Sequence, residues 1–198
     1  MRSLIPGCLA LAAVAAACAG QAGPDHAQSV LISSPPPGYA ANGRASGPLA
    51  GVMPAAQLMP TGLTSASAAL TADHFAGGYV QVFTKGQDFL TVIGLDFDSG
   101  GHAQAFQDFV IAQLKASGTV YTISDPQIPG SRLYTAVAPT RSGVTPVFCD
   151  GVWFTSGATG VDSVTCSPTP GYPDLAEQIA AVQYRQTGGM LTSATPPA

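Results

Sequence analysis

The sequence predicts an α+β domain in which an antiparallel sheet carries two helices on one face, as two layers, in the order β-β-α-β-β-β-β-α. Apolar, strand-like runs occur in pairs separated by short turn segments, which indicates hairpins and therefore antiparallel pairing. Two longer segments instead carry apolar residues at helical spacing, one in the middle of the chain and one near its end. Because most of the predicted strands occur in hairpins, the simplest arrangement packs both helices on one face of the sheet.

The first hairpin is predicted in "GGYVQVFTKGQDFLTVIGLDF". Alternation over Tyr79–Phe83 leads into a turn at Lys85–Gln87, and Phe89–Phe97 return as a long apolar strand. Few polar positions interrupt that second strand, so we expect it to lie centrally in the sheet. The glycines Gly77 and Gly78 indicate a bulge or tight bend.

The next segment, "DSGGHAQAFQDFVIAQLKASG", predicts a helix. Asp98 or Ser99 suits the N-cap, because its side-chain oxygen can accept from an exposed backbone N–H group. Lys115 suits the last turn and Gly118 suits the stop. The apolar stripe at helical spacing comprises Ala103, Phe106, Val110 and Leu114.

The rest of the domain is predicted as four strands and a helix. Thr119–Ile123 and Arg132–Ala138 are strands, and a second hairpin follows around "TSGATG" at Thr155–Gly160. The last helix begins at Pro173 and ends at Gly188-Gly189. Its buried side is predicted as Leu175, Ile179 and Val182.

Cys149 and Cys166 stand in this second hairpin, and a structural disulfide is the leading interpretation. They lack the C-x-x-C spacing of zinc sites and thioredoxin-like pairs, and no histidine is near them in the sequence, so no metal site is predicted. Antiparallel pairing that opposes the two cysteines gives Cα distances compatible with a disulfide. The same register opposes Gly151 with Val164 and Phe154 with Val161, and Trp153 shares the face of the bridge. The rival hypothesis is a free, nucleophilic Cys149.

The N-terminus "MRSLIPGCLALAAVAAACAG" predicts a signal peptide over residues 1–18. Arg2 supplies the positive charge, and Leu4–Ala17 is apolar but shorter than the roughly 20 residues of a transmembrane helix, which disfavours an uncut anchor. "AAAC" is similar to a bacterial lipobox and predicts lipidation of Cys18, although Val14 stands one place too early. The alternative is an ordinary A-x-A cleavage site and a secreted protein.

Three further segments are predicted after the signal peptide. Residues 19–61 are rich in Pro, Gly, Ser and Ala without apolar periodicity, which predicts a flexible tether outside the core. Residues 62–191 form a single extracytoplasmic α+β domain, and residues 192–198 form a disordered tail.

The candidate chemical groups are few. Asp96, Asp98 and His102 in "DFDSGGH" superficially suggest a calcium loop, but glycine and glutamine occupy later ligand positions, so a strand end and a helix cap are favoured. His74 or His102 with a carboxylate could serve a small hydrolase, yet no G-x-S-x-G motif occurs. Asp96 and Asp98 could also act as a carboxylate pair. His26 falls in the predicted tether.

Composition excludes some partners. Charged residues make up 9% of the chain, the net charge is −4, and seven Lys and Arg are scattered along it. Phosphate binding requires clustered cations, so nucleic acid is excluded as a partner. No phosphate-binding glycine loop occurs, and no cofactor is predicted.

The "AAAC" segment, the Pro/Gly-rich stretch, "HFAGGYVQVF", "IPGSRLY" and the late cysteine pair together resemble exported lipoproteins of actinobacteria. The resemblance covers most of the chain from Leu63 to Arg185. A looser similarity is to PsbP-like and kinase-sensor-like extracytoplasmic domains, which implies binding rather than catalysis. The predicted function is a non-enzymatic, lipid-anchored cell-envelope module that binds a small molecule or an envelope protein. The alternatives are the small hydrolase and a purely structural envelope component.

Overall fold

The computed structural model describes residues 24–49, 66–116, 121–123, 127–138, 146–170 and 173–192. The predicted signal peptide with Cys18, the helix stop at Gly118 and residues 193–198 of the predicted tail lie outside these ranges. The described elements are α1 Pro24–Ser29, β1 Ala40–Ala41, β2 Gly47–Leu49, α2 Ala66–Ala72, β3 Phe75–Lys85, β4 Asp88–Phe97, α3 Gly100–Ala116, β5 Tyr121–Ile123, β6 Arg132–Ala138, β7 Val147–Ser156, β8 Thr159–Ser167 and α4 Pro173–Gln186.

The strands form one antiparallel sheet in the order β1-β3-β4-β8-β7-β6-β5, and β2 pairs with β3 on the same side as β1. From β3 to α4 the element order is the predicted β-β-α-β-β-β-β-α. The α+β class and the open antiparallel sheet are therefore confirmed. The long apolar strand β4 lies inside the sheet between β3 and β8, also as predicted.

The sheet has helices on both faces, which corrects the expectation of two layers with both helices on one side. Trp153 of β7 packs with α3 on one face, together with α2, whereas its neighbour Phe154 packs with α4 on the other. We call these the α3 face and the α4 face. Every residue of β8 is buried, and β4 is buried from Leu90 onward. Strands that are buried on both sides need a covering layer on each.

The segment over residues 24–49, which we call the strap, is folded onto the sheet. Val30, Leu31 and Ile32 are buried in the core of the α4 face, and β1 and β2 pair with the outer side of β3. The expectation of a flexible tether is therefore wrong for these residues. The physical reason is that three consecutive apolar side chains bury enough surface on the sheet to hold a segment that shows no periodicity, and the strap strands protect an open sheet edge.

The predicted helix α3 is confirmed, since every residue of its apolar stripe is buried. Ser99 accepts from the backbone N–H group of His102, with the oxygen 3.3 Å from the nitrogen, and so caps the helix. Helix α4 ends at Gln186, and Gly188, with a positive φ of 83°, provides the predicted stop just after it. The expectation for Val182 is wrong, because its side chain is 40% exposed. The buried positions of α4 are Ala176, Ile179, Ala180 and Gln183.

The second hairpin has the predicted register, with Cys149 opposite Cys166, Gly151 opposite Val164 and Phe154 opposite Val161. A disulfide joins Cys149 to Cys166. The connection is tighter than predicted, because pairing continues to Ser156 and Thr159 and leaves a two-residue turn. Gly157 in that turn has a φ of 57°, a conformation that glycine adopts without strain. The predicted irregularity near Gly77 is also found, as a register shift between Phe75 and Gly77.

Candidate functional site

The three histidines of the chain all lie at one end of the sheet, where β4 ends and β8 begins. His26 of α1 contacts Asp96, whereas His74 and His102 contact Asp98. We call this the histidine end. The two members of the candidate carboxylate pair, Asp96 and Asp98, therefore contact different histidines.

At Asp96 the arrangement resembles a catalytic triad in composition but not in geometry. His26 Nδ1 lies 3.0 Å from Asp96 Oδ1, and the Thr159 hydroxyl donates to the same oxygen at 2.7 Å. Thr159 Oγ1 is also 3.5 Å from His26 Nδ1. A nucleophile and an orienting acid need opposite nitrogens of the imidazole. Here both meet one nitrogen, so the contact fastens α1 to the sheet.

At Asp98 two imidazoles share one carboxylate. His74 Nδ1 lies 3.4 Å from Asp98 Oδ2, and His102 Nδ1 bonds Oδ1. The two rings stack with their centroids 4.7 Å apart and their planes at 9°. The hydrogen bond from His102, followed by the charges that both rings can carry, holds the pKa of Asp98 below its ordinary value.

The Asp98 cluster brings together the histidines and the carboxylate that sequence analysis named for a hydrolase. All three side chains are substantially exposed, and both rings turn the same nitrogen to the acid. The His102 side chain is therefore held in contact with Asp98 and is not surrounded by solvent alone. Within the described ranges, no group of three or more His, Cys, Asp or Glu side chains is arranged to hold a metal ion.

A buried carboxyl lies in the core of the α3 face. The Tyr134 ring crosses Gly151, where a Cβ atom would stand 2.3 Å from Tyr134 Cζ. Its hydroxyl donates to the two oxygens of Asp162 at 2.9 and 3.1 Å. Burial raises the pKa of Asp162 to about 8, so this carboxyl is largely protonated at neutral pH. Both side chains are fully buried, which makes the pair a part of the core rather than a ligand site.

An open groove of about 530 Å³ runs along the outer side of α4. The backbone N–H of Thr192 donates to the carbonyl of Gln127 at 3.0 Å and joins the two segments beside the helix. Ala181, Val182 and Leu191 supply the apolar part of the lining. The other lining residues are Gln127, Asp174, Glu177, Gln178 and Arg185.

The charges of the α4 groove are separated along the helix. Asp174 and Glu177 stand in the first turn or just after it, and Arg185 stands in the last turn. Eight residues separate Glu177 from Arg185, which corresponds to about 12 Å along an α-helix. The groove therefore offers carboxylates toward one end, a guanidinium at the other and apolar surface between them.

The fold is similar to that of the extracellular domain of PknH from Mycobacterium tuberculosis, known from a crystal structure. The TM-score is 0.60 at 12% sequence identity, and the match covers 83% of this chain and 95% of that chain. No protein-family model matches the sequence, and no curated protein matches it either. The likeness at this identity is one of fold. Separately, none of the described helices is long and apolar enough to cross a membrane.

Sequence analysis missed the α4 groove and the role of His26. The groove forms only when Gln127 and Leu191 come to lie beside α4, and no sequence spacing links them. One signal was present in α4 itself, whose polar residues Asp174, Gln178 and Arg185 follow helical spacing on one side. The predicted disulfide of Cys149 and Cys166, in contrast, is found as expected.

Proposed function

We propose that the protein is an extracytoplasmic module, anchored to the cell membrane by a lipid on Cys18, that binds a ligand or an envelope partner in the α4 groove. The observation that carries this proposal is the groove itself, an open cavity of about 530 Å³ with charged and apolar lining. Binding sites are typically concave and combine apolar surface with a few placed polar groups.

The lining indicates the chemistry of the ligand. Asp174 and Glu177 favour a cationic group such as an amine, and Arg185 favours a carboxylate or phosphate. The exposed Val182 supplies apolar contact between them. A dipolar ligand with opposite charges about 12 Å apart fits this arrangement, for example an extended peptide of about four residues.

The proposal of export and anchoring rests on the N-terminal sequence, with Cys18 directly after the apolar region. Two further observations support an oxidising, extracytoplasmic compartment. Cys149 and Cys166 are joined by a disulfide, a bond that persists mainly outside the cytosol. The similar fold of the PknH extracellular domain is also used outside the cell.

We infer that the module acts by binding rather than by catalysis. The hydrolase alternative would use His74 or His102 with Asp98, and it needs a hydroxyl at the free nitrogen of one ring. Among the described residues no hydroxyl hydrogen-bonds to either ring, and the two rings stack on each other at an exposed surface. The geometry of the described side chains therefore favours the groove over this cluster as the functional site.

The groove is tested by purifying the full protein from its native envelope and identifying co-purified molecules by mass spectrometry. Arg185→Glu should abolish retention of an anionic or dipolar ligand, because it reverses the charge at one end of the groove. Arg44→Glu is the matched control, since Arg44 is exposed in the strap outside the groove lining. Equal loss in both variants, or equal retention in both, would contradict binding at this site.

The anchor is tested separately by metabolic labelling with a fatty-acid analogue. Wild-type protein should carry the label and partition into detergent, whereas Cys18→Ala should carry none. An unlabelled wild-type protein in the aqueous phase would establish plain secretion instead.

A further inference from the structure

The strap crosses the α4 face from one end of the sheet to the other. It begins at the histidine end, where His26 contacts Asp96 and the carbonyl oxygen of Ala27 lies against Gly94. A Cβ atom on Gly94 would stand 2.7 Å from that oxygen, so glycine allows α1 to approach the sheet this closely. At the other end, the Tyr39 ring lies 5.9 Å from the ammonium of Lys85, beside the β3–β4 turn.

The strap is held along this path by buried contacts. Val30, Leu31 and Ile32 are each at most 5% exposed. When the amide of Gln186 is oriented to satisfy its surroundings, its nitrogen donates to the carbonyls of Val30 at 2.9 Å and Leu31 at 3.2 Å. The first described residues therefore belong to the folded domain and cannot act as a loose spacer.

This docking shortens the connection to the membrane anchor. Six residues lead from Cys18 to Pro24 and can span at most about 22 Å. A tether of more than forty residues would have placed no restraint on the orientation of the domain, whereas this link holds the start of α1 close to any lipid on Cys18.

We propose that the histidine end of the sheet faces the lipid surface and that the β3–β4 turn at Gly86-Gln87 points away from it. This inference rests on the proposed lipid anchor at Cys18. The ten-residue strand β4 separates the two ends by about 30 Å. The membrane-facing end comprises the start of α1, the histidine clusters and the Gly157-Ala158 turn.

The proposed orientation of the domain also sets the direction of the α4 groove relative to the membrane. Gln183 accepts from Ser163, and Tyr184 packs on Phe154, whose β-partner is Val161 near the start of β8. Helix α4 thus runs antiparallel to β8, with its last turn toward the histidine end. Its acidic first turn, with Asp174, then lies toward the distal end, where envelope ligands approach from outside.

The test uses the mature full chain beginning at Cys18, coupled through that thiol to maleimide lipids in phosphatidylcholine vesicles. With Cys149 and Cys166 oxidised, Cys18 is the reactive position. A fluorescent amino acid is introduced at Ala76, exposed at the histidine end, or at Gln87, exposed in the distal turn. Energy transfer to rhodamine lipids should be clearly greater from Ala76.

Two variants test whether docking of the strap causes the difference between the two labelled positions. Leu31→Asp should release the strap and reduce the difference between the two positions, because the connection then becomes long and flexible. Gln28→Asp, an exposed position on α1, should preserve the difference. If Leu31→Asp does not fold, the wild-type comparison of Ala76 with Gln87 still decides.

Equal transfer from the two positions, or greater transfer from Gln87, would overturn the orientation. Chemical coupling does not depend on lipidation in the cell, so this outcome is distinct from failure of the anchor proposal. The absence of lipid on native Cys18 would overturn the anchor itself and, with it, the membrane-facing role.

Discussion

The two faces of the sheet are covered in different ways. The α3 face is covered mainly by one continuous 17-residue helix, packed on Trp153, Phe97 and the Cys149–Cys166 bridge. The α4 face is shared by α4 and the strap, which come from opposite ends of the chain. The first face is closed and contains a buried carboxyl, whereas the second carries the open groove.

This difference between the two faces predicts which substitutions affect stability and which affect binding. Helix α3 buries six positions and so covers most of its face, and Leu70 of α2 and Leu49 of β2 complete the core there. The α4 groove lies on the outer side of the second layer, where Gln127 and Leu191 come to lie beside α4. We therefore expect substitutions on the α3 face to affect global stability and substitutions on the α4 face to affect docking and binding.

The largest effect is expected from Phe106→Ala at the centre of the α3 face. Phe106 is fully buried between Phe97 and Trp153, so truncation should reduce the free energy of unfolding by about 4 kcal/mol. Phe109→Ala, on the same helix but partly exposed, is the control and should cost less. Urea unfolding measures both. Equal losses of unfolding free energy in the two variants would contradict the expected difference between a fully buried and a partly exposed position of α3.

Removal of the disulfide is expected to have the next largest effect. In the chain-entropy model, a bridge between residues 17 apart stabilises the folded state by about 3 kcal/mol. The double variant Cys149→Ala with Cys166→Ala should melt lower than the oxidised wild type and should be insensitive to reductant. A free thiol at Cys149 or Cys166 in exported wild-type protein would instead support the rival nucleophile hypothesis.

The buried carboxyl predicts an unusual pH dependence. Burial raises the pKa of Asp162 from 3.8 to about 8, so the folded protein holds a proton that the unfolded chain has released. The stability that this proton supplies is complete below about pH 4 and is lost as the pH rises toward about 8. Asp162→Asn should remove this dependence, so its stability should fall less than that of the wild type between pH 4 and pH 8.

Thermal melts between pH 4 and 8.5 test this prediction. Tyr134→Phe provides a second test. The Tyr134 hydroxyl lowers the pKa of Asp162, so its removal should raise that pKa and extend the loss of stability to higher pH. A wild-type profile that is parallel to that of Asp162→Asn over the whole range would contradict a protonated core carboxyl.

The smallest effect is expected from His26→Ala on the α4 face. His26 is half-exposed and Asp96 keeps its bond from Thr159, so the loss should be about 1 kcal/mol or less. Hydrogen exchange should become faster in α1 while β7 and β8 keep their protection. Faster exchange across the whole sheet would show that the strap is part of the global unfolding unit.

Much of the α3 side could be predicted from the sequence. The hairpin register follows once Cys149 is placed opposite Cys166 in antiparallel strands, and the stripe of α3 follows from a period of 3.6 residues. The α4 side was predicted less well. Val182 belongs to the helical pattern of α4 but faces solvent, because small Ala176 and Ala180 let the helix approach the sheet through another side.

The sequence by itself determined the α+β class, the order of its main elements, the disulfide and the helix that seals one face. These features depend on neighbouring residues, whose spacing sets which side chains share a surface. Only the tertiary structure decided that α4 takes the opposite face, that the strap docks beside it and that His26 meets Asp96, 70 residues away. Those choices depend on how much apolar surface remains uncovered after the sheet has formed, a property of the whole fold and of no single segment.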